Sequence, residues 1–113
     1  MGHNRGKIKD WRFYDIWRGM KYRCSKPYKT IFKYYGGRGI QVSKEWLNYD
    51  NFHVDMYESY TQHIKDFDFK NTSIDRINPN GNYEKENCRW ATKSEQSRNQ
   101  RNLTKPLSTV SNV

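Results

Sequence analysis

The sequence predicts an α+β fold in one small domain: an N-terminal helix–strand–helix region followed by a C-terminal strand–loop–strand–helix unit. Three observations predict it. Aromatic and apolar residues recur at helical spacing in two stretches before residue 70. Two short strand-like runs, "SIDRI" and "CRWAT", flank a loop rich in turn formers. Thr92 and Glu95 then make a T-x-x-E capping box, which opens a last helix. A chain of 113 residues suits one modest core rather than two. The expected divisions are a basic arm at 1–10, a nucleic-acid-contacting region at 11–70, the compact unit at 71–102 and a polar tail at 103–113.

The first helix is read from "DWRFYDIWRGMKYRC". Phe13, Ile16, Trp17 and Met20 share one face, and Arg12, Arg18 and Lys21 lie between them. The apolar stripe suits core packing, with base stacking as the alternative. "SKPYKT" ends this helix. In "IFKYYGGRGIQVSKEW" the glycines at 36, 37 and 39 permit a tight turn or a close backbone approach. "GIQVS" reads as a short strand. Tyr34, Tyr35 and Arg38 around those glycines suit a loop touching phosphate or a stacked base, or equally a hairpin turn with a solvated arginine. A second helix follows from Phe52, Met56 and Tyr60, spaced by four, and "TQHIKDFDFKNT" reads as a turn-like connection. His53 and His63 have no histidine partner at i+4 and read as surface or packing residues. In the last unit Ile74, Ile77 and Trp90 are the apolar anchors, and Asn80-Gly81 is a turn signal.

Hydrophobic residues make up 34% of the chain and aromatics 16%. The core should therefore be small and built from large rings, with Trp11, Trp17, Trp46 and Trp90 as anchors. The formal charge of +9 is unevenly spread. Residues 1–33 carry ten basic and two acidic side chains, residues 34–70 four and six, and residues 71–113 seven and four. Two basic ends around a near-neutral middle suit a polyanion, and nucleic acid is the expected partner. No apolar run approaches the roughly 18 residues of a membrane span. "MGHNRGKIKD" lacks the apolar stretch of a secretory signal, and Gly6 weakens a myristoylation reading. Cys24 and Cys88 are isolated, which argues for two free thiols in a reducing compartment and against structural zinc. The chain reads as cytoplasmic, without a membrane partner.

The run "IDRINPNGNYEKENCRWATKSEQSRN" resembles the HNH, or ββα-metal, endonuclease module in its phage and homing-endonuclease-like form. That form typically reads Asp-His-Ile, a loop, Glu-Asn-Leu-Arg-Trp-Val-Thr, then Glu-Asn-x-x-Asn. "YYGGRGIQVSKEW" and "NFHVDM" resemble the N-terminal part of small phage-type proteins carrying the module. The likeness covers about residues 11–101, and "YGGRGI" and "NGNYEKENCRWAT" are its most specific elements. It implies a C-terminal ββα-metal finger, double-stranded DNA rather than RNA as partner, and one divalent metal, Mg²⁺ with Mn²⁺ as substitute. If the gene is phage-derived, the host cytoplasm is the place of action. Asp75 maps to the strand ligand, Gln96 to the helix ligand and Asn87 to the asparagine that organises the loop.

Arg76 is the departure. The family places histidine there as general base, whereas arginine has a pKa above about 12 and accepts no proton at neutral pH. It could instead hold a phosphate or stabilise transition-state charge. Another base would then be needed: metal-bound water, His53, His63 or, less plausibly, Tyr83. On this reading the catalytic set is Asp75, Arg76, Asn87 and Gln96, with Asp75 and Gln96 on the metal. The backbone-gripping set is Arg12, Arg18, Lys21, Arg38, Arg89, Lys93, Arg98 and Arg101. Three functions stay open: a DNA endonuclease that cleaves or nicks, a catalytically inactive DNA clamp or regulator, and a protein-binding effector with a basic surface. A homodimer is compatible with each.

Overall fold

The computed structural model describes residues 3–27 and 29–104, and the side chains of residues 10–27 and 29–98. Among them are three α-helices and one small antiparallel hairpin, an α+β arrangement. Of the polar tail expected at 103–113, residues 103 and 104 are the end of the last helix and the rest lies outside the described residues. So does the Arg101 side chain.

Helix α1 spans His3–Ser25, so the segment expected as a separate arm at 1–10 is, from His3 onward, continuous with the first helix. Pro27 stands two residues past its end, where the ring and its missing N–H forbid continuation. Phe13, Ile16, Trp17 and Met20 are buried, as their spacing dictates. Trp11 is not. It is 57% exposed, because at two residues before Phe13 it falls on the opposite side of the helix. The expectation of Trp11 as a core anchor is therefore corrected.

The glycine segment folds as two short 3₁₀ turns, Thr30–Tyr34 and Gly36–Arg38. Gly39 closes the second at φ +88°, a left-handed conformation that disfavours any side chain. The strand expected at "GIQVS" is a single parallel bridge, Val42 to Tyr83. Tyr83 donates its N–H to the Gln41 carbonyl and accepts from the Ser43 N–H. Among the described residues the segment's strand pairing ends with this bridge.

Helix α2 spans Tyr49–Phe67 and starts at Asn48, whose side chain accepts the Asp50 N–H at 2.8 Å. It is longer than the sequence suggests. "TQHIKDF" is its last two turns rather than a connection, because Ile64 continues the stripe of Phe52, Met56 and Tyr60 and packs against the core. Asp68, at φ 71°, ends it.

Strands β1 (Ser73–Arg76) and β2 (Cys88–Ala91) pair antiparallel, with Ile74 opposite Trp90 and Asp75 opposite Arg89. Since side chains alternate across a strand, Ile74 and Trp90 share one face and Asp75 and Arg89 the other. Ile74 and Trp90 are both buried, and the Trp90 indole donates to the Met56 carbonyl and the Ser59 hydroxyl, both at 3.1 Å. Ile77 lies past the end of β1 and is exposed, so it does not serve as an anchor. Phe13 meets the rings of Phe52, Tyr60 and Trp90 at centroid distances of 5.0, 5.1 and 5.9 Å, joining α1, α2 and the hairpin in one aromatic core.

Helix α3 (Lys93–Thr104) follows β2 after one residue. Its capping box forms in full: the Thr92 N–H donates to Glu95 Oε1 at 2.8 Å and the Glu95 N–H to Thr92 Oγ1 at 3.3 Å. The Asn71 side chain accepts the Lys93 N–H at 2.9 Å and so fixes the helix start to the approach of β1. Glu95 is held below the ordinary carboxylate range, chiefly by the Thr92 N–H and further by Arg89 and His63.

Candidate metal site and nucleic-acid interface

The register of the hairpin sets what Asp75 can do. Arg89 stands directly opposite it, and Arg89 Nε donates to Asp75 Oδ2 at 3.0 Å. The Asp75 side chain is 9% exposed and the Arg89 side chain 44%, so the carboxylate is sunk and the guanidinium reaches water. Gln96 comes from the first turns of α3, and its Nε2 donates to the Ile74 carbonyl at 3.1 Å, one residue before Asp75. Helix α3 thus touches β1 at the residue before Asp75.

Whether these residues fit a metal can be judged from the donor chemistry. A carboxylate and an amide oxygen are hard ligands of the kind Mg²⁺ takes, and Mg²⁺ keeps several waters and adds substrate phosphate. In kind they fit. In number they give an ion two protein oxygens, and the Asp75 charge is already met by Arg89. Among the described residues no cluster of three or more His, Cys, Asp or Glu side chains is arranged to hold a metal.

Arg76 is placed differently from the expectation of a phosphate contact. It is buried at 8% exposure. Its guanidinium donates to the Pro79 carbonyl and, at 3.1 Å, to the Gly81 carbonyl. Its centre lies 5.1 Å from the Tyr35 ring centroid and 5.2 Å from that of Tyr83. As the neighbour of Asp75 on a strand it points to the opposite face. Arg76 therefore holds the loop from within, and its charge is spent on backbone dipoles and aromatic faces.

Asn87 braces the same loop from the other end. Its Oδ1 accepts the Asn78 N–H at 2.9 Å, and its Nδ2 donates to the carbonyls of Asn78 and Asn82 at 3.1 and 2.9 Å. Gly81 makes room for it, since a Cβ there would stand 2.7 Å from Asn87 Nδ2. Asn87 acts on the loop's backbone.

The base candidates lie in other surroundings. His63 Nδ1 is 2.7 Å from Thr72 Oγ1. That hydroxyl gives its proton to the Asp68 carbonyl, so it accepts from His63. His53 stacks on Tyr57 at a centroid distance of 4.3 Å. Tyr83 is buried, accepts Arg23 Nε at 3.2 Å through its hydroxyl, and has its pKa raised by burial. A phenol so placed keeps its proton at neutral pH.

The expected backbone-gripping residues divide. Arg12 donates to the Thr72 carbonyl at 3.0 Å from a half-buried position and ties α1 to the strand approach. That is structural work, beside the expected surface contact. Lys21 caps the Trp17 ring at 4.0 Å. Arg18 is exposed and pairs loosely with Asp15 at 3.8 Å. Arg38 is exposed and bonds Asn80 Oδ1, which fastens the glycine segment to the tip of the hairpin loop. Lys93 and Arg98 are exposed on α3. At 100° per residue Lys93 lies about 60° from Gln96 and Arg98 about 160° from it, so the helix shows cations on more than one side.

Two groups escaped the sequence reading. Arg23 bridges to Tyr83 and lies 5.3 and 5.6 Å from the Tyr35 and Tyr83 ring centroids, completing a cluster with Arg76. The second is the exposed rings of α1, which the apolar stripe on the same helix masks in the sequence. No family model, curated protein or solved structure matches the chain. No helix among the described residues is long and apolar enough to cross a membrane.

Proposed function

We infer that the chain is a DNA-binding protein of the HNH-like ββα type, whose C-terminal unit closes on a backbone phosphate and uses Asp75 and Gln96 to hold one divalent cation there. The observation that carries this reading is the contact of α3 with β1, Gln96 to the Ile74 carbonyl one residue before Asp75, within a hairpin–helix unit. Bound there, Mg²⁺ would supply Lewis-acid stabilisation of charge on the scissile phosphate. The rest falls to the chain itself. Arg89, half-exposed beside Asp75, is placed to pass from the carboxylate to a phosphate oxygen. Asn87 and Arg76 keep the loop rigid, so that the strand ends do not shift under load. Lys93 and Arg98 add sequence-independent attraction for the backbone.

A second reading, a clamp without hydrolysis, is favoured by two observations together. Arg76 occupies the position of the family's base and is consumed inside the loop, and Asp75 is already neutralised by Arg89. A positioned base contributes typically 10²–10⁴-fold, so its loss separates a slow nicking enzyme from a binder.

Supercoiled-plasmid nicking with Mg²⁺, Mn²⁺ or EDTA, run with wild type and Asp75→Asn, tests the reading. Cleavage by wild type that EDTA and Asp75→Asn both abolish is the expected result. Retarded but uncut plasmid under every condition would establish the clamp instead, and plasmid neither cut nor retarded would leave the basic surface to a protein partner.

A further inference from the structure

The outer side of α1 carries two exposed rings, Trp11 (57% exposed) and Tyr22 (40%), and between them Tyr14 (36%), which leans back on Trp17 and Tyr49 at centroid distances of 5.6 and 5.0 Å. With Arg18 they are spaced by three, four and four residues, which sets them in one stripe along the helix. The buried residues Phe13 and Met20 point the other way, so the stripe faces away from the hairpin. Cations accompany the rings. Lys26 and Lys29 place their ammonium groups 5.9 and 5.7 Å from the Tyr22 ring centroid. Arg18 lies midway between Tyr14 and Tyr22, and the one acid in the stripe, Asp15, is paired with it at 3.8 Å. Trp11 and Tyr14 sit with centroids 6.1 Å apart.

We propose that this stripe binds a single-stranded nucleic acid, with unpaired bases stacking on Trp11 and Tyr22, Tyr14 backing the Trp11 ring, and the phosphates meeting Arg18, Lys26 and Lys29. Flat aromatic faces edged by cations are the arrangement that single strands recognise, since each base offers a π-face and each phosphate a charge. Duplex DNA keeps its bases stacked inside and would leave the rings unused. From Trp11 to Tyr22 the helix rises roughly 16 Å, room for about five nucleotides at about 3.4 Å each. A second copy of the chain is a poorer occupant. Residues 1–33 carry ten basic and two acidic side chains, and a two-fold contact would set these segments against each other. This surface is separate from the hairpin–helix unit, so the proposal stands or falls apart from the reading of Asp75 and Gln96.

The test is fluorescence anisotropy with a labelled twelve-nucleotide oligo(dT) and a labelled twelve-base-pair duplex. Wild type, the double variant Trp11→Ala/Tyr22→Ala and the conservative Trp11→Phe/Tyr22→Phe are compared, each checked for an unchanged urea midpoint. The alanine pair should bind oligo(dT) at least about tenfold more weakly, the range expected for lost base stacking. The phenylalanine pair should recover most of that, and duplex affinity should stay within about twofold of wild type for both. Equal oligo(dT) affinity in wild type and the alanine pair would overturn the proposal. So would failure of wild type to bind oligo(dT), or a dimer in sedimentation that the alanine pair abolishes.

Discussion

Replacing Arg76 by alanine should destabilise the fold far more than it weakens DNA binding. The guanidinium donates to two loop carbonyls and lies against two tyrosine rings at 5.1 and 5.2 Å, from a buried position. Hydrogen bonds to a charged group contribute roughly 1.5–3 kcal/mol each, and a desolvated cation–aromatic contact about 0.5–2 kcal/mol. Burying the guanidinium costs several kcal/mol against this, which alanine recovers, while the two carbonyls lose their donor. A net loss of about 2–4 kcal/mol follows. For a chain of this length that is a fall in Tm of about 8–16 °C. Arg76→Lys keeps the charge without the planar fork and should lose about half as much. Urea unfolding followed by tryptophan fluorescence reads both. If Arg76→Ala unfolds within about 0.5 kcal/mol of wild type and duplex affinity drops severalfold, the loop-clamp account is wrong and Arg76 is a phosphate ligand.

Asn87→Ala removes three side-chain bonds to the loop and should cost about 1–3 kcal/mol because the loop ends are partly open to water, measured by the same unfolding curves. Glu95 has a depressed pKa in the folded chain, so its capping contribution is present above the ordinary carboxylate value of about 4.3 and is lost as pH falls below it. Glu95→Gln should therefore flatten the stability–pH curve between about pH 5 and pH 3, which melts at closely spaced pH values will show. Burial raises the Cys88 thiol to about 12 and also raises Cys24, so native protein should react slowly with a thiol reagent at pH 8. Urea-unfolded protein should titrate two thiols at once; fast native labelling of Cys88 would contradict the packing.

The helices were legible because large apolar side chains three or four residues apart are a local signal, and Phe13, Ile16, Trp17 and Met20 in one stretch and Phe52, Met56 and Tyr60 in the other carry it plainly. The α3 start was legible because Thr92 and Glu95 satisfy two backbone N–H groups within one turn. The limits were physical. Trp11 reads as core from composition, yet hydrophobicity says how costly exposure is, not which side of a helix a residue occupies. "GIQVS" has strand composition, yet a strand needs a partner along its length, and among the described residues only the backbone around Tyr83 meets it. The arginines were the hardest: Arg12, Arg38, Arg76 and Arg89 share one chemistry and have four different partners. One of these was recoverable. Setting Ile74 opposite Trp90 as the inward pair places Asp75 opposite Arg89, and the ion pair follows from register alone.

The measurement closest to the central claim is duplex affinity against salt for wild type and Lys93→Gln/Arg98→Gln, by fluorescence anisotropy. Each phosphate contact adds about 0.9 to the slope of log affinity against log salt. Duplex binding by wild type should weaken steeply with salt, and the slope should be shallower by about 1.8 in the double variant, with both proteins equally stable. Identical slopes, or duplex binding indifferent to salt, would contradict it.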